Sequence, residues 1–210
     1  MRIASRFNGP PGSANGGITA GLLAAHGSEP VVEVTLRRPP PLEVDLDVVD
    51  GQLLRDGEVI AEAVPGSVDV RPPPSVGLDR AAGATYEGLT AHPFPTCFVC
   101  GPEHPTGMHL FPGPVDELVA CTWTPQESTA VLVWAALDCP GGWSADLPGR
   151  PMVLGRMVCR IDALPDAGVP HVVQGWLLGG EGRKVFTGSA LYDATGQVLA
   201  VAQATWITLA

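Results

Sequence analysis

The sequence predicts an α+β protein built from two similar halves, each a helix covered by an antiparallel sheet. Two strings recur in the same order. Gly16–Leu22 (GGITAGL) matches Gly141–Leu147 (GGWSADL) at a spacing of 125, and Gly57–Ala63 (GEVIAEA) matches Gly196–Ala202 (GQVLAVA) at a spacing of 139. The longer second spacing implies a longer middle in the second copy. In each copy a double glycine opens a short apolar segment of helical length, and runs rich in Val and Leu follow, separated by turn residues.

The elements are then read in order. The helices are expected over Gly17–Ala25 and Pro140–Leu147. In the first copy, strands are expected over Val31–Leu36, Val44–Val49, Leu53–Asp56 and Glu58–Ala63, the last two joined by an Asp-Gly hairpin turn. In the second copy they are expected over Val153–Ile161, His171–Leu178, Lys184–Tyr192 and Gln197–Leu209, with the matching turn at Asp193–Gly196. A Pro-rich stretch, Pro65–Pro95, lies between the copies. Its middle, Ser75–Leu89, has Val76, Leu78, Ala82 and Tyr86 at helical spacing, opposed by Gly77, Gly83 and Gly88. The expected organisation is residues 1–70 as first repeat, 71–95 as connector and 96–210 as second repeat.

Composition narrows the function. The chain has 210 residues, 45% hydrophobic and 16% charged, a globular balance in which 26 Gly and 22 Pro favour turns over long helices. A formal net charge of −10 argues against a nucleic-acid partner, which would need a basic face. An anionic ligand such as coenzyme A stays compatible, since a few local cations suffice to hold a phosphate. No stretch approaches the roughly 20 apolar residues of a membrane span. The N-terminal MRIASRFNGPPGS turns to Gly and Pro before a signal-type apolar segment forms. Five cysteines without a regular framework fit a reducing, cytoplasmic setting.

A helix wrapped by an antiparallel sheet and repeated in one chain resembles the double hotdog fold, and local strings carry the likeness further. CFVCGPEHPTGMHL (Cys97–Leu110) resembles the opening of phenylacetate-type hotdog thioesterases, and GRKVFTGSALYDATGQVLAVAQATW (Gly182–Trp206) resembles their last two strands. FNGPPGSANGGITAGLLA (Phe7–Ala24) and WAALDCPGGWSADL (Trp134–Leu147) resemble the two helices of actinobacterial double-hotdog thioesterase-like proteins. The resemblance covers nearly the whole chain except the connector, and implies thioester hydrolysis. The chain departs from the phenylacetate type, whose helix carries an acid some seven positions after the double glycine; Ala24 and Gly149 stand there. In long-chain double-hotdog thioesterases an Asp near the second helix acts with polar strand residues, and Asp138, Gln203 and Thr205 are the matching positions.

Each candidate also has a structural reading. Asp138 before Pro140 is a natural helix N-cap, or a base whose carboxylate is raised by apolar walls. Gly141 and Gly142, read as a helix N-terminus, could polarise a thioester carbonyl, as could Gly16 and Gly17 in the first copy. Asn15 either caps its helix or orients a water. Gln203 and Thr205 share one strand face, which is a site face only if it looks inward. Trp134 and Trp143 are core residues or acyl-pocket walls. Arg183 and Lys184, on the turn GGEGRK, are a solvated hairpin tip or a phosphate contact. Cys97, Cys100, His104 and His109 invite a zinc reading, but a second C-x-x-C is absent and buried cysteines are commonly small hydrophobes.

The expected activity is hydrolysis of an acyl-CoA or acyl-carrier thioester, with coenzyme A as part of the substrate and neither cofactor nor metal. Self-association stays open. A non-catalytic acyl-CoA binder is the alternative, supported by the missing helix acid. A hydratase ranks last, because no D-x-x-x-x-H pair sits at either helix.

Overall fold

The computed structural model describes residues 1–209. Its first half contains α1 (Gly16–Ala24), β1 (Val31–Leu36), β2 (Asp47–Val49), β3 (Gln52–Arg55) and β4 (Glu58–Pro65). The connector holds only a short helix, α2 (Leu78–Ala82). The second half contains β5 (Gly113–Val115), β6 (Leu118–Trp123), α3 (Ala130–Trp143), β7 (Met152–Ile161), β8 (His171–Glu181), β9 (Lys184–Tyr192) and β10 (Val198–Thr208).

The strands form one sheet, in the order β2-β3-β4-β1-β7-β10-β9-β8-β6-β5. Every pairing is antiparallel. Outward from the β1–β7 seam, both sides read the same way: the seam strand, then the third, second and first of the strands that follow it in sequence. The seam centres on Glu33 opposite Val158, two residues separated by the 125 positions that divide the double glycines. Beyond β8 the second half adds β6 and β5, whereas the first half ends at β2 and has only isolated bridges, Arg2 with Asp45 and Asn8 with Ala14.

Local chemistry explains the hairpins. Asp56 and Gly57 both adopt positive φ (51° and 80°), the two-residue turn that matches the twist of paired strands. In the second half, Asp193 Oδ1 accepts the backbone N–H groups of Thr195 and Gln197, each at 2.9 Å. The strings GEVIAEA and GQVLAVA thus occupy corresponding hairpins.

α1 and α3 pack on one face of the sheet and run antiparallel to each other. Gly17 lies against Trp134, Ala135 and Asp138, and Gly21 lies against Val131 and Trp134. Around them Ile18, Leu23, Leu137, Met157, Leu191 and Trp206 form the main core. The connector covers the other face of the second half, where Val68, Val70 and Val76 pack on Val172, Tyr192 and Val201. Tyr192 donates its hydroxyl to Pro73 O at 2.5 Å, and Gln174 accepts the Val76 N–H at 2.6 Å. No described helix is long and apolar enough to cross a membrane.

Two expectations are corrected. The second helix runs from Ala130 to Trp143 and not over Pro140–Leu147, so it ends where the glycine register would have it begin. Thr129 is its N-cap, accepting the Leu132 N–H at 3.2 Å. Residues Val133 to Trp143 are all buried, so the helix is apolar on every side and shows no amphipathic period to read. GGITAGL and GGWSADL therefore lie at opposite ends of their helices. In the connector, only Leu78–Ala82 is helical within Ser75–Leu89, followed by a 3-10 turn at Glu87–Leu89, because Gly83 ends the helix.

Candidate functional site

α1 begins with the glycine pair because its first turn must pass very close to α3. A Cβ on Gly17 would stand 2.7 Å from Asp138 Cβ and 2.8 Å from Trp134 O, so only glycine fits. That proximity brings the Gly17 N–H to 2.9 Å from Asp138 Oδ2. Asn15 caps the same turn, its Oδ1 accepting the Ile18 N–H at 2.9 Å. Its Nδ2 donates to Asp138 Oδ2 at 3.0 Å. One carboxylate oxygen thus meets a helix N-terminus and a cap amide together, favourable partners for an anion.

The other oxygen differs. Asp138 is 2% exposed, yet its Oδ1 has no hydrogen-bond partner among the described residues. Burial pushes the carboxyl up to about 7, and the nearby Cys97 adds to the rise. The Gly17 and Asn15 hydrogen bonds oppose it.

Three thiols cluster nearby, two of them beside the Asn15 amide. Cys97 and Cys100 come from a tight turn after the connector, and Cys139 is the next residue of α3 after Asp138. Their sulfurs all lie within 4.8 Å of one another. The Cys97 thiol is held well below its usual range by hydrogen bonds from Cys100 and Cys139, while Cys139 is raised by its hydrogen bonds with Cys100 and Cys97. Behind them the Tyr86 hydroxyl donates to Cys100 O at 2.8 Å, and His92 Nε2 lies 3.2 Å from the same carbonyl. Burial lowers the His92 pKa.

Two grooves flank the start of α1. One, of about 710 Å³, is lined by Phe7, Ile18, Leu22, Phe98, Trp123 and Val131 among others. The second, of about 430 Å³, is lined by Pro10, Ser13, Gly16, Leu36, Arg37 and Ile207 among others. Asp138 lines neither. Ile18 and Phe98 are the chain neighbours of Gly17 and Cys97, so one residue separates the larger groove from the carboxylate cluster.

Of the sequence candidates, the structure brings together Asp138, Asn15 and Gly17, with Gly16 alongside. It separates the others from them. Asp138 is an interior residue of α3 and caps α1, not its own helix. Gly141 and Gly142 close α3, so their amides are not a helix N-terminus. Both glycines admit the sheet: a Cβ on Gly141 would stand 2.7 Å from Thr187 Oγ1, and one on Gly142 would stand 3.0 Å from the Trp206 ring. Gln203 and Thr205 alternate with the inward Ala202 and Ala204 and line a groove on the outer sheet face with Glu33 and Arg156. Trp143 is a core residue, its ring 4.5 Å from Tyr86 and 5.2 Å from His92. Arg183 donates to Thr208 O at 2.9 Å from the β8–β9 turn, and Lys184 beside it is exposed. His104 and His109 turn away from the thiols, their Nε2 atoms 2.8 Å from Arg6 O and His104 O respectively.

Neither a protein-family model nor a curated protein sequence matches the chain. Solved structures do. A conserved protein with a hot dog fold from Alicyclobacillus acidocaldarius aligns with a TM-score of 0.65 at 12% identity, over 100% of this chain and 92% of that one. The chain is a double hotdog. The tesB protein of Mycobacterium avium subspecies paratuberculosis aligns at TM-score 0.60 and 12% identity, over 96% and 90% of the two chains. An acyl-CoA thioesterase II of Mycobacterium marinum aligns at 0.59 and 10% identity, over 99% and 91%. Within this double hotdog, sequence reasoning missed that Cys139 joins Cys97 and Cys100. It also missed that Asp138 serves the other helix. The first depends on the Cys97–Cys100 turn packing against α3 and the second on the α1–α3 contact, and no local spacing encodes either.

Proposed function

We propose that the protein hydrolyses an acyl thioester, of the acyl-CoA class, at the junction of α1 and α3. The observation that carries this is Asp138 Oδ1, a buried and unpartnered acceptor on a carboxylate otherwise fixed by Asn15 and Gly17. A buried oxygen left without a donor calls for an explanation, and a reacting water is one that suits a general base. Asp138 takes a proton from that water as its oxygen attacks the thioester carbonyl carbon. The Gly16 N–H at the start of α1 stabilises the tetrahedral oxyanion, while the Gly17 N–H stays on Asp138. Collapse expels the thiolate, which recovers the proton from Asp138. The apolar groove along Ile18, Leu22 and Val131 suits an acyl chain in size and lining. The second groove suits the carrier arm; Arg37 and Arg38 line it, and Arg183 is fastened to Thr208 between two of its lining residues, Ile207 and Leu209. That a fold relative is named an acyl-CoA thioesterase II supports the same reaction.

Asp138→Asn tests it. Asparagine keeps an acceptor for the Gly17 and Asn15 donors, so the fold should hold and the melting temperature should not fall. Turnover on a panel of acyl-CoA thioesters should fall about 100-fold or more. Unchanged turnover removes Asp138 from the mechanism.

One observation favours a second reading, a non-catalytic acyl-CoA binder: Asp138 is 2% exposed and lines neither groove. On that reading the wild type turns over no chain length, while acyl-CoA still raises its melting temperature.

A further inference from the structure

We propose that Cys97, Cys100 and Cys139 form a zinc site between the connector turn and α3. Three thiols converge from two distant segments, and all are at least nine-tenths buried. Cys97 Sγ and Cys139 Sγ lie 3.9 Å apart. With zinc–sulfur bonds of about 2.3 Å, adjacent vertices of a tetrahedron are about 3.8 Å apart, so this pair already spans one edge. Cys100 completes the face, within 4.8 Å of both.

The C-x-x-C-G turn is shaped to present its sulfurs. The Gly101 N–H donates to Cys97 O at 2.8 Å, closing the turn. A Cβ on Gly101 would stand 2.4 Å from Cys97 N and 2.6 Å from Cys97 O, so glycine is required for both cysteines to face one way. Asn15 Nδ2 stands 3.8 Å from Cys97 Sγ and 4.0 Å from Cys139 Sγ. Donors of this kind stabilise metal-bound thiolates. Cys121 and Cys159, equally buried, belong to no such group among the described residues. No fourth Cys, His, Asp or Glu of the described chain shares the cluster, so an exogenous oxygen donor takes the remaining position. The thiolate set selects a soft ion, and three thiolates against a divalent cation leave one negative charge for the Asn15 amide to offset.

The proposal goes beyond the thioester reading, and its test needs no turnover. The full chain, purified under reducing conditions and stripped with a chelator, is titrated anaerobically with Co²⁺ and then Zn²⁺. The expected result is one ion per chain. Cobalt should give a thiolate charge-transfer band and the intense visible bands of tetrahedral coordination, both erased by zinc. Cys97→Ser and Cys139→Ser should each lose the charge-transfer band, while Cys121→Ser keeps it. Melts of the wild type with and without zinc give a reading that needs no variant, and the metal should raise Tm. Absence of the charge-transfer band in the reduced wild type overturns the proposal. So does loss of the band in Cys121→Ser to the extent seen in Cys139→Ser.

Discussion

Asp138 sits on the ninth residue of α3 and hydrogen-bonds the first turn of α1. Its residue type was legible in the sequence as a cap or a base. Its partner was not, because capping across two helices leaves no local spacing. The same holds for Asn15, which was legible as a cap and is one, but whose second bond to Asp138 depends on the packed helices. A carboxyl raised to about 7 by burial has a thermodynamic consequence. Its unfolded value is about 3.9, so between about pH 4 and about pH 7 the folded state binds more protons and stability falls as pH rises. Outside that window the contribution is flat. Asp138→Asn abolishes the slope. Melts of metal-free wild type and variant should therefore agree near pH 4 and diverge by pH 8, with the variant the more stable. Parallel profiles across the range would place the carboxyl at its ordinary value.

Among the elements, the strands expected at Val31–Leu36 and Lys184–Tyr192 coincide with β1 and β9, while that expected at Val44–Val49 is confined to Asp47–Val49. They lie between turns whose chemistry is local, such as Asp56-Gly57. β5 and β6 were missed, since Gly113–Val115 is brief and Leu118–Trp123 lacks alternation. α3 was displaced towards its C-terminal end because a proline followed by two glycines looks like a helix start. The apolar run before it carries no periodicity, being buried all round. Thr129 decides between the two placements. In the observed helix its hydroxyl caps the Leu132 amide, so Thr129→Ala should cost about 1 kcal/mol in denaturant melts. A helix starting at Pro140 would leave that substitution neutral.

At the level of the whole molecule, the two helix-and-sheet units were legible because GEVIAEA and GQVLAVA mark corresponding hairpins. Their joining into one sheet was not, since the β1–β7 pairing links residues more than 120 positions apart. This seam and the α1–α3 contact couple the units mechanically. All five tryptophans (Trp123, Trp134, Trp143, Trp176 and Trp206) lie in the second unit, whereas circular dichroism reports on both. Urea unfolding followed by tryptophan fluorescence and by circular dichroism should give coincident curves. A dichroism transition that precedes the fluorescence change would show the first unit melting alone.

The close approach at Gly17 also fixes how the two ends of the helix pair can drift. α3 lends an acid to the start of α1, but α1 (GGITAGLLA) has no acid to lend in return. In a pair of identical subunits both ends would change together, because one gene encodes both. Here they are separate stretches of one gene. The end near Val131 and Gly21 answers only to packing, while the end at Asp138 keeps its carboxylate, cap amide and thiols.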